Sequence, residues 1–235
     1  MTITSPHNEK LKLIRRLGRR RGREREGLFV AEGEDLLAAA RAAGAEPVEL
    51  LTAAGEGLGG TEVEPALLAR FSNLGSGTRA IGVWRETWAE RVEAPCVYLH
   101  AVSDPGNVGT VIRTARALVG GSVILGPDCA DPFGPHAVRA SMGAVFAEPL
   151  LRGGIDATPE PRAALVAHGG EGLEALDGIA TVCLGAEREG LPEATLERCD
   201  AQVTIPLREG AESLNVAAAA AIALQRIASG DSHGD

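Results

Sequence analysis

The chain has 235 residues, enough for one large domain or two modest ones around a sizeable buried core, and two are expected. Hydrophobic residues make up 45% of it, yet no uninterrupted apolar run reaches membrane-spanning length and Met1–Lys10 lacks the apolar stretch of a signal peptide, which points to the cytoplasm and to no membrane partner. A net charge of −9 argues, as an average, against a nucleic-acid partner, and 3% aromatic residues argue against base stacking on rings.

That average hides an uneven distribution. Residues 1–27 hold nine of the 23 Lys and Arg against Glu9, Glu24 and Glu26, a net of +6 that leaves −15 for the rest. Leu11, Ile14 and Leu17 recur at helical spacing, which predicts a short amphipathic helix with a cationic face ending at Gly18. Two readings of the segment stay open, a solvated tail or an arm that meets RNA phosphates through Arg15, Arg16, Arg19, Arg20, Arg21 and Arg23.

Further along, Leu28–Ala31 reads as a strand, Glu34–Ala43 as a helix of good formers stopped by Gly44, and Val48–Thr52 as a second strand. A Gly-rich turn at Gly55–Gly60, a helix near Pro65–Phe71 and a strand near Arg79–Arg85 complete a small α/β unit, with Glu86–Pro95 as linker. From Cys96 the pattern becomes short β-branched strands alternating with helices. Val97–Val102, Ser122–Leu125, Val145–Ala147, Thr181–Leu184 and Gln202–Ile205 suit a covered parallel sheet. One helix from about Asn107 carries Val108, Val111, Ile112, Ala115, Leu118 and Val119 on a stripe, and an alanine-rich helix runs from Ser213 to about Ala228. The expected organisation is a basic arm (1–27), a small α/β domain (28–94) and a parallel-sheet domain (95–235). Cys96, Cys129, Cys183 and Cys199 form no C-x-x-C pair and stand near no histidine at zinc spacing, so they read as reduced fillers and no metal is expected.

Three loops in the second half are unusual for strand-to-helix turns. In Ser103–Gly109, Pro-Gly makes a tight turn and Asn107 can cap the following helix, which also carries Arg113. In Leu184–Leu191, two glycines bracket a charged stretch, and because Gly190 is followed by Leu191-Pro192 the loop is no Walker motif, which disfavours nucleotide hydrolysis. In Ile205–Ala217, Ser213 is a good N-cap, while Asn215 is polar at the start of an apolar helix and calls for a partner.

Together, D-P-G-N-V-G-T-V-I-R-T-A (104–115), L-G-A-E-R-E-G-L (184–191) and I-P-L…S-L-N-V-A (205–217) closely resemble the three signature motifs of SpoU/TrmH-type methyltransferases of the SPOUT superfamily, in order over residues 97–228. Arg139–Ala144 resembles a segment that the family places between the first two. The resemblance implies an α/β domain with a deep C-terminal trefoil knot, a homodimer, and S-adenosylmethionine held by the backbone of the second and third motifs. On the matching positions Gly185, Ile205 and Leu214 bind the cofactor, and Leu184, Gly190, Ser213 and Asn215 line the same pocket. The N-terminal part resembles the family's ribosomal-protein-like substrate-binding domain through Phe29–Gly33, which adds Glu32 to the RNA-binding set. It departs from the family at Gly75-Ser76-Gly77-Thr78-Arg79, where many members carry Pro-Gln-Gly, and at Leu207, where methionine is common.

The activity so implied is methyl transfer to a ribose 2′-hydroxyl of RNA. Ribosomal RNA is favoured, because members with an added N-terminal domain mostly act there. The alternatives are a transfer-RNA ribose methyltransferase, a base-modifying enzyme of the same fold, and a catalytically silent RNA-binding protein. The family assigns Arg113 the part of general base, helped by Asn107. Arginine stays protonated in proteins, so two versions stand open, a perturbed Arg113 that accepts the proton or a cationic Arg113 that clamps phosphate and aligns the hydroxyl. Glu187 is read as orienting the loop or the partner chain. His100 reads as a core residue and His136 as starting a helix, while His7, His168 and His233 have no context.

Overall fold

The apolar triplet of the basic segment is core: Leu11, Ile14 and Leu17 are buried beside Leu28, Val30, Leu51 and Val83. The computed structural model describes residues 2–72, 77–210 and 213–231, so Gly75, Ser76 and His233 lie outside the described residues. In chain order the elements are α1 (Glu9–Leu17), α2 (Arg20–Glu26), β1 (Leu28–Glu32), α3 (Glu34–Ala42), β2 (Glu49–Ala53), β3 (Thr61–Val63), α4 (Pro65–Ala69) and β4 (Ala80–Arg85). They continue with β5 (Cys96–Leu99), α5 (Pro105–Leu118), β6 (Val123–Leu125), α6 (Pro135–Ala140), β7 (Leu150–Arg152), β8 (Arg162–Leu165), β9 (Thr181–Leu184), α7 (Glu193–Leu196), β10 (Ala201–Val203) and α8 (Val216–Asp231). None of the described helices is long and apolar enough to cross a membrane.

Contacts group Met1–Thr87 with Asp131–Ala147 as one unit and Trp88–Ala130 with Glu148–Asp235 as another. The first unit is built on a sheet of order β1-β4-β2-β3, in which β4 is antiparallel to both neighbours and β2 is parallel to β3. Because α1 fills one side of it, residues 9–17 are no detached tail. The sequence places 131–147 in the C-terminal domain, whereas its contacts lie with the first unit. Phe133 and Phe146 join Phe29 at ring distances of 4.9 and 5.6 Å, and Phe146 meets Trp84 at 5.0 Å. Val145–Ala147, expected as a strand, is instead a 3-10 turn over Ala144–Phe146 that follows Gly143 at φ 92°. A Cβ at Gly143 would stand 2.3 Å from the Ala39 side chain, so a close approach to α3 sets this turn.

The second unit is an all-parallel sheet of order β10-β8-β9-β5-β6-β7. Its central strands are buried throughout, the condition under which strands read as unbroken apolar runs. Val108, Val111, Ile112 and Ala115 form the buried stripe of α5, and α8, whose Ala220 and Ala223 are fully buried, packs against α5. The third motif's strand is Ala201–Val203, shorter and earlier than the expected Gln202–Ile205.

Candidate functional site

In open parallel sheets ligands gather at the carboxyl ends of strands where the strand order reverses. Here β5 leads to its neighbour β6 on one side, and β9, its other neighbour, belongs to the run β10-β8-β9 on the other. The first and second loops leave these two strands at that reversal. A cavity of about 360 Å³ opens there, within the ~300–1,000 Å³ usual for small-molecule sites. It is lined by Leu165–Ala167 after β8, Leu184–Leu191 after β9, Ile205 and Leu207 after β10, and Ser213 and Leu214 before α8.

The second loop is folded back on itself, with the Gly190 N–H donating to Ala186 O at 2.9 Å. At Gly185 a Cβ would stand 2.2 Å from the Gly190 carbonyl carbon and oxygen, so only glycine fits. Gly190 is needed for a different reason. Its φ is +68° with open space where a Cβ would go, so conformation and not crowding requires glycine there. Six of the seven residues expected at the cofactor line this cavity, namely Leu184, Gly185, Gly190, Ile205, Ser213 and Leu214.

Asn215 does something else. It precedes α8 and accepts from the Ala217 N–H at 2.9 Å, which makes it, and not Ser213, the helix cap, so the helix starts at Val216. The other half of its amide donates to Asn107 Oδ1 at 3.0 Å. Asn107 is likewise no cap, because Asp104 accepts from the Asn107 N–H at 2.8 Å and caps the N-terminus of α5. The freed Asn107 side chain donates through Nδ2 to Glu187 Oε1. One residue from each loop thus meets in a chain Asn215–Asn107–Glu187. Arg113 is exposed on α5 and has no ion pair among the described residues.

His100 lies just past β5 and is half buried, with its Nδ1 3.2 Å from the Tyr98 hydroxyl. Burial pushes that phenol up to about 12, so it stays protonated. His136 is the second residue of α6, as a helix-starting position. The cavity residues Leu165, Val166 and Ala167 were not anticipated, since β8 opens on the buried Arg162 and carries two alanines.

Comparison with known proteins agrees with this geometry. Residues 94–225 match the SpoU rRNA Methylase family, more than half of the chain. The chain belongs to that SpoU family. Residues 8–83 match the MRM3-like substrate binding domain. Among SpoU relatives, RlmP of Bacillus subtilis, a 23S rRNA (guanosine(2553)-2'-O)-methyltransferase, is 37% identical over 134 residues, 53% of this chain and 54% of RlmP. The chain thus spans about half the length of that relative. An rRNA methyltransferase from Sinorhizobium meliloti superposes with a TM-score of 0.84 at 27% identity, covering 96% of both chains. AviRb from Streptomyces viridochromogenes, a SpoU methyltransferase in complex with the cofactor AdoMet, gives 0.84 at 25% identity, covering 97% of this chain and 100% of that one.

The basic segment divides on inspection. Arg23 was expected at RNA but is buried, with Nη2 2.7 Å from Asp131 Oδ2 and Nη1 donating to Leu17 O at 2.8 Å. Its charge holds α2 in place and is not available at the surface. Arg20 is exposed but paired with Glu24. Glu32 is buried, accepts from the Ser72 hydroxyl at 2.7 Å and lines a small cavity with Leu36, His136 and Arg139.

Proposed function

We propose that this chain transfers a methyl group from S-adenosylmethionine to a ribose 2′-hydroxyl of RNA, with ribosomal RNA in the cytoplasm as target. The observation that carries the reading is a cavity lined by the second and third loops, with Asn107 of the first loop hydrogen-bonded to one residue of each. The relatives named above, a 23S rRNA 2'-O-methyltransferase and an AdoMet-bound fold mate, support the same reaction. S-adenosylmethionine pairs a flat adenine with a sulfonium cation. Apolar walls from Leu184, Ile205 and Leu214 suit the first, and Glu187 and Glu189 at the lining suit the second. Backbone exposed around Gly185 and Gly190 offers the polar contacts.

When bound, the cofactor supplies an activated methyl on sulfur. The chain's own task is to hold the ribose oxygen in line with it, since positioning accounts for much of the rate in such transfers. Asn107, fixed at both ends of its amide, orients this part of the site. Arg113, a cation without a carboxylate partner among the described residues, is suited to hold the RNA phosphate beside the reacting hydroxyl, which favours the clamping role. The reading includes the knotted crossing and the homodimer that the family resemblance implies, and sedimentation equilibrium tests the latter.

The deciding experiment compares 2′-O-methylation across ribosomal and transfer RNA from cells with and without the gene. The expected result is loss of one ribose methyl in ribosomal RNA, and loss of a base methyl or of none would refute the reading. In vitro, Arg113→Ala should keep S-adenosylmethionine affinity while losing transfer, and normal turnover would remove Arg113 from the mechanism.

A further inference from the structure

Of the nine cations in the first 27 residues, the fold neutralises some and gathers others. Lys10 pairs with Glu49, Arg20 with Glu24, and the buried Arg23 with Asp131. Arg15, Arg19 and Arg21 have no carboxylate within ion-pair distance among the described residues. With Lys12, paired with Glu9, and Arg16 and Arg25, both paired with Glu26, they line a groove of about 860 Å³ along α1 and α2, to which Glu24 also contributes.

This groove is a fixed part of the first unit. Leu11, Ile14 and Leu17 anchor α1 from below. At Gly22, a groove residue, α2 lies so close to α1 that a Cβ would stand 2.0 Å from Arg16 O. Arg23 ties α2 to Asp131 and to Leu17 O, and the Arg15 guanidinium lies 4.9 Å from the centre of the Phe71 ring. Like charges held together by the fold repel one another, and an anionic ligand relieves that repulsion.

We propose that this groove binds the phosphodiester backbone of RNA without reading its bases, chiefly through Arg15, Arg19 and Arg21. Guanidinium forks match phosphate oxygens in geometry and charge. Phe71 is buried beneath Arg15, so it offers no open platform on which bases could stack, and the groove is left with cations as its means of contact. The groove supplies affinity, and the choice of target nucleotide lies elsewhere. This inference rests on RNA being the substrate.

The test is fluorescence anisotropy with the full chain, without cofactor, on fluorescein-labelled 20-mers of oligo(U) and oligo(A) across a potassium chloride series. Each phosphate contact on a single strand contributes about −0.7 to the slope of log affinity against log salt, so R15A/R19A/R21A should flatten the slope by about 2 and weaken binding about 100-fold at 0.1 M salt. The R15K/R19K/R21K variant should keep most of the slope. Because Arg15 packs on Phe71, R19A/R21A serves as a second variant, with a flattening of about 1.4. An unchanged slope in both alanine variants overturns the proposal, as does a more than tenfold preference of the parent chain for one homopolymer. Since no cofactor is present, loss of slope without any methyl transfer by the parent chain would sink the enzyme reading and leave this one standing.

Discussion

Asn215 donates its side-chain amide to Asn107 Oδ1 at 3.0 Å, joining the start of α8 to the first turn of α5. Because Asn215 Oδ1 already accepts from the Ala217 N–H and Asn107 Nδ2 is used on Glu187, each amide has its orientation set by the other. Asn107→Ala breaks both side-chain links. The groups left behind can reach water, so the cost in stability should be small, about 1 kcal/mol. Turnover should fall more, roughly 10- to 100-fold, because the three loops lose their common register. Asn107→Asp should do worse still, setting a second carboxylate against Glu187. Steady-state kinetics within twofold of the parent for Asn107→Ala would detach this network from the chemistry.

The two glycines of the second loop should respond differently. Gly185→Ala forces a Cβ against the Gly190 carbonyl and Leu191 N, backbone atoms that cannot swing aside, so the loop itself must move. At Gly190 the space is open and the substitution meets only the left-handed conformation, at about 1–2 kcal/mol. Calorimetric titration should show S-adenosylmethionine affinity reduced by roughly tenfold or more in Gly185→Ala and by less in Gly190→Ala. The reverse order would contradict this account of the loop.

Much of this site was legible because glycine, proline and asparagine sit where backbone chemistry demands them, in loops bounded by clean apolar strands such as Thr181–Leu184. The roles within the loops were less so. Asn107 and Ser213 are both good N-cap residues locally, yet Asp104 and Asn215 do the capping, and nothing in a linear sequence tells one cap candidate from another a few residues away. β8 was missed because Arg162 reads as exposed, while in the fold its guanidinium is buried on Thr158, Glu160 and the Arg198 carbonyl. Val145–Ala147 looked like a strand because three apolar residues fit a 3-10 turn equally well. The basic run looked uniform, and only tertiary contacts separate the buried Arg23 from the exposed Arg21.

That separation carries its own prediction. Arg23→Ala leaves Asp131 buried without its counter-charge, which costs on the order of 3–5 kcal/mol, whereas Arg21→Ala at the exposed surface should stay within about 0.5 kcal/mol. Urea denaturation of the two variants against the parent gives both numbers. Comparable stability losses would mean that the Arg23–Asp131 pair does not hold α2 as described.

Glu148 predicts how stability depends on pH. Among the described residues its two carboxylate oxygens are buried without a hydrogen-bond partner, and burial pushes it up from 4.5 to about 7, against the opposing pull of Arg116 and with some help from Glu93. The folded chain therefore prefers the protonated acid. Below about pH 4.5 the acid is protonated in both folded and unfolded chains and costs nothing. As pH rises from there to about 7, the unfolded chain ionises first and stability falls, and above 7 the deficit levels off. The gap between 4.5 and about 7 corresponds to about 3 kcal/mol. Glu148→Gln removes the titration while keeping the size of the side chain. Its stability relative to the parent, from urea denaturation at pH 4.5 to 8.5, should therefore climb by up to about 3 kcal/mol toward alkaline pH. Parallel curves for the two proteins would show that Glu148 finds water or a counter-charge in solution and ionises normally.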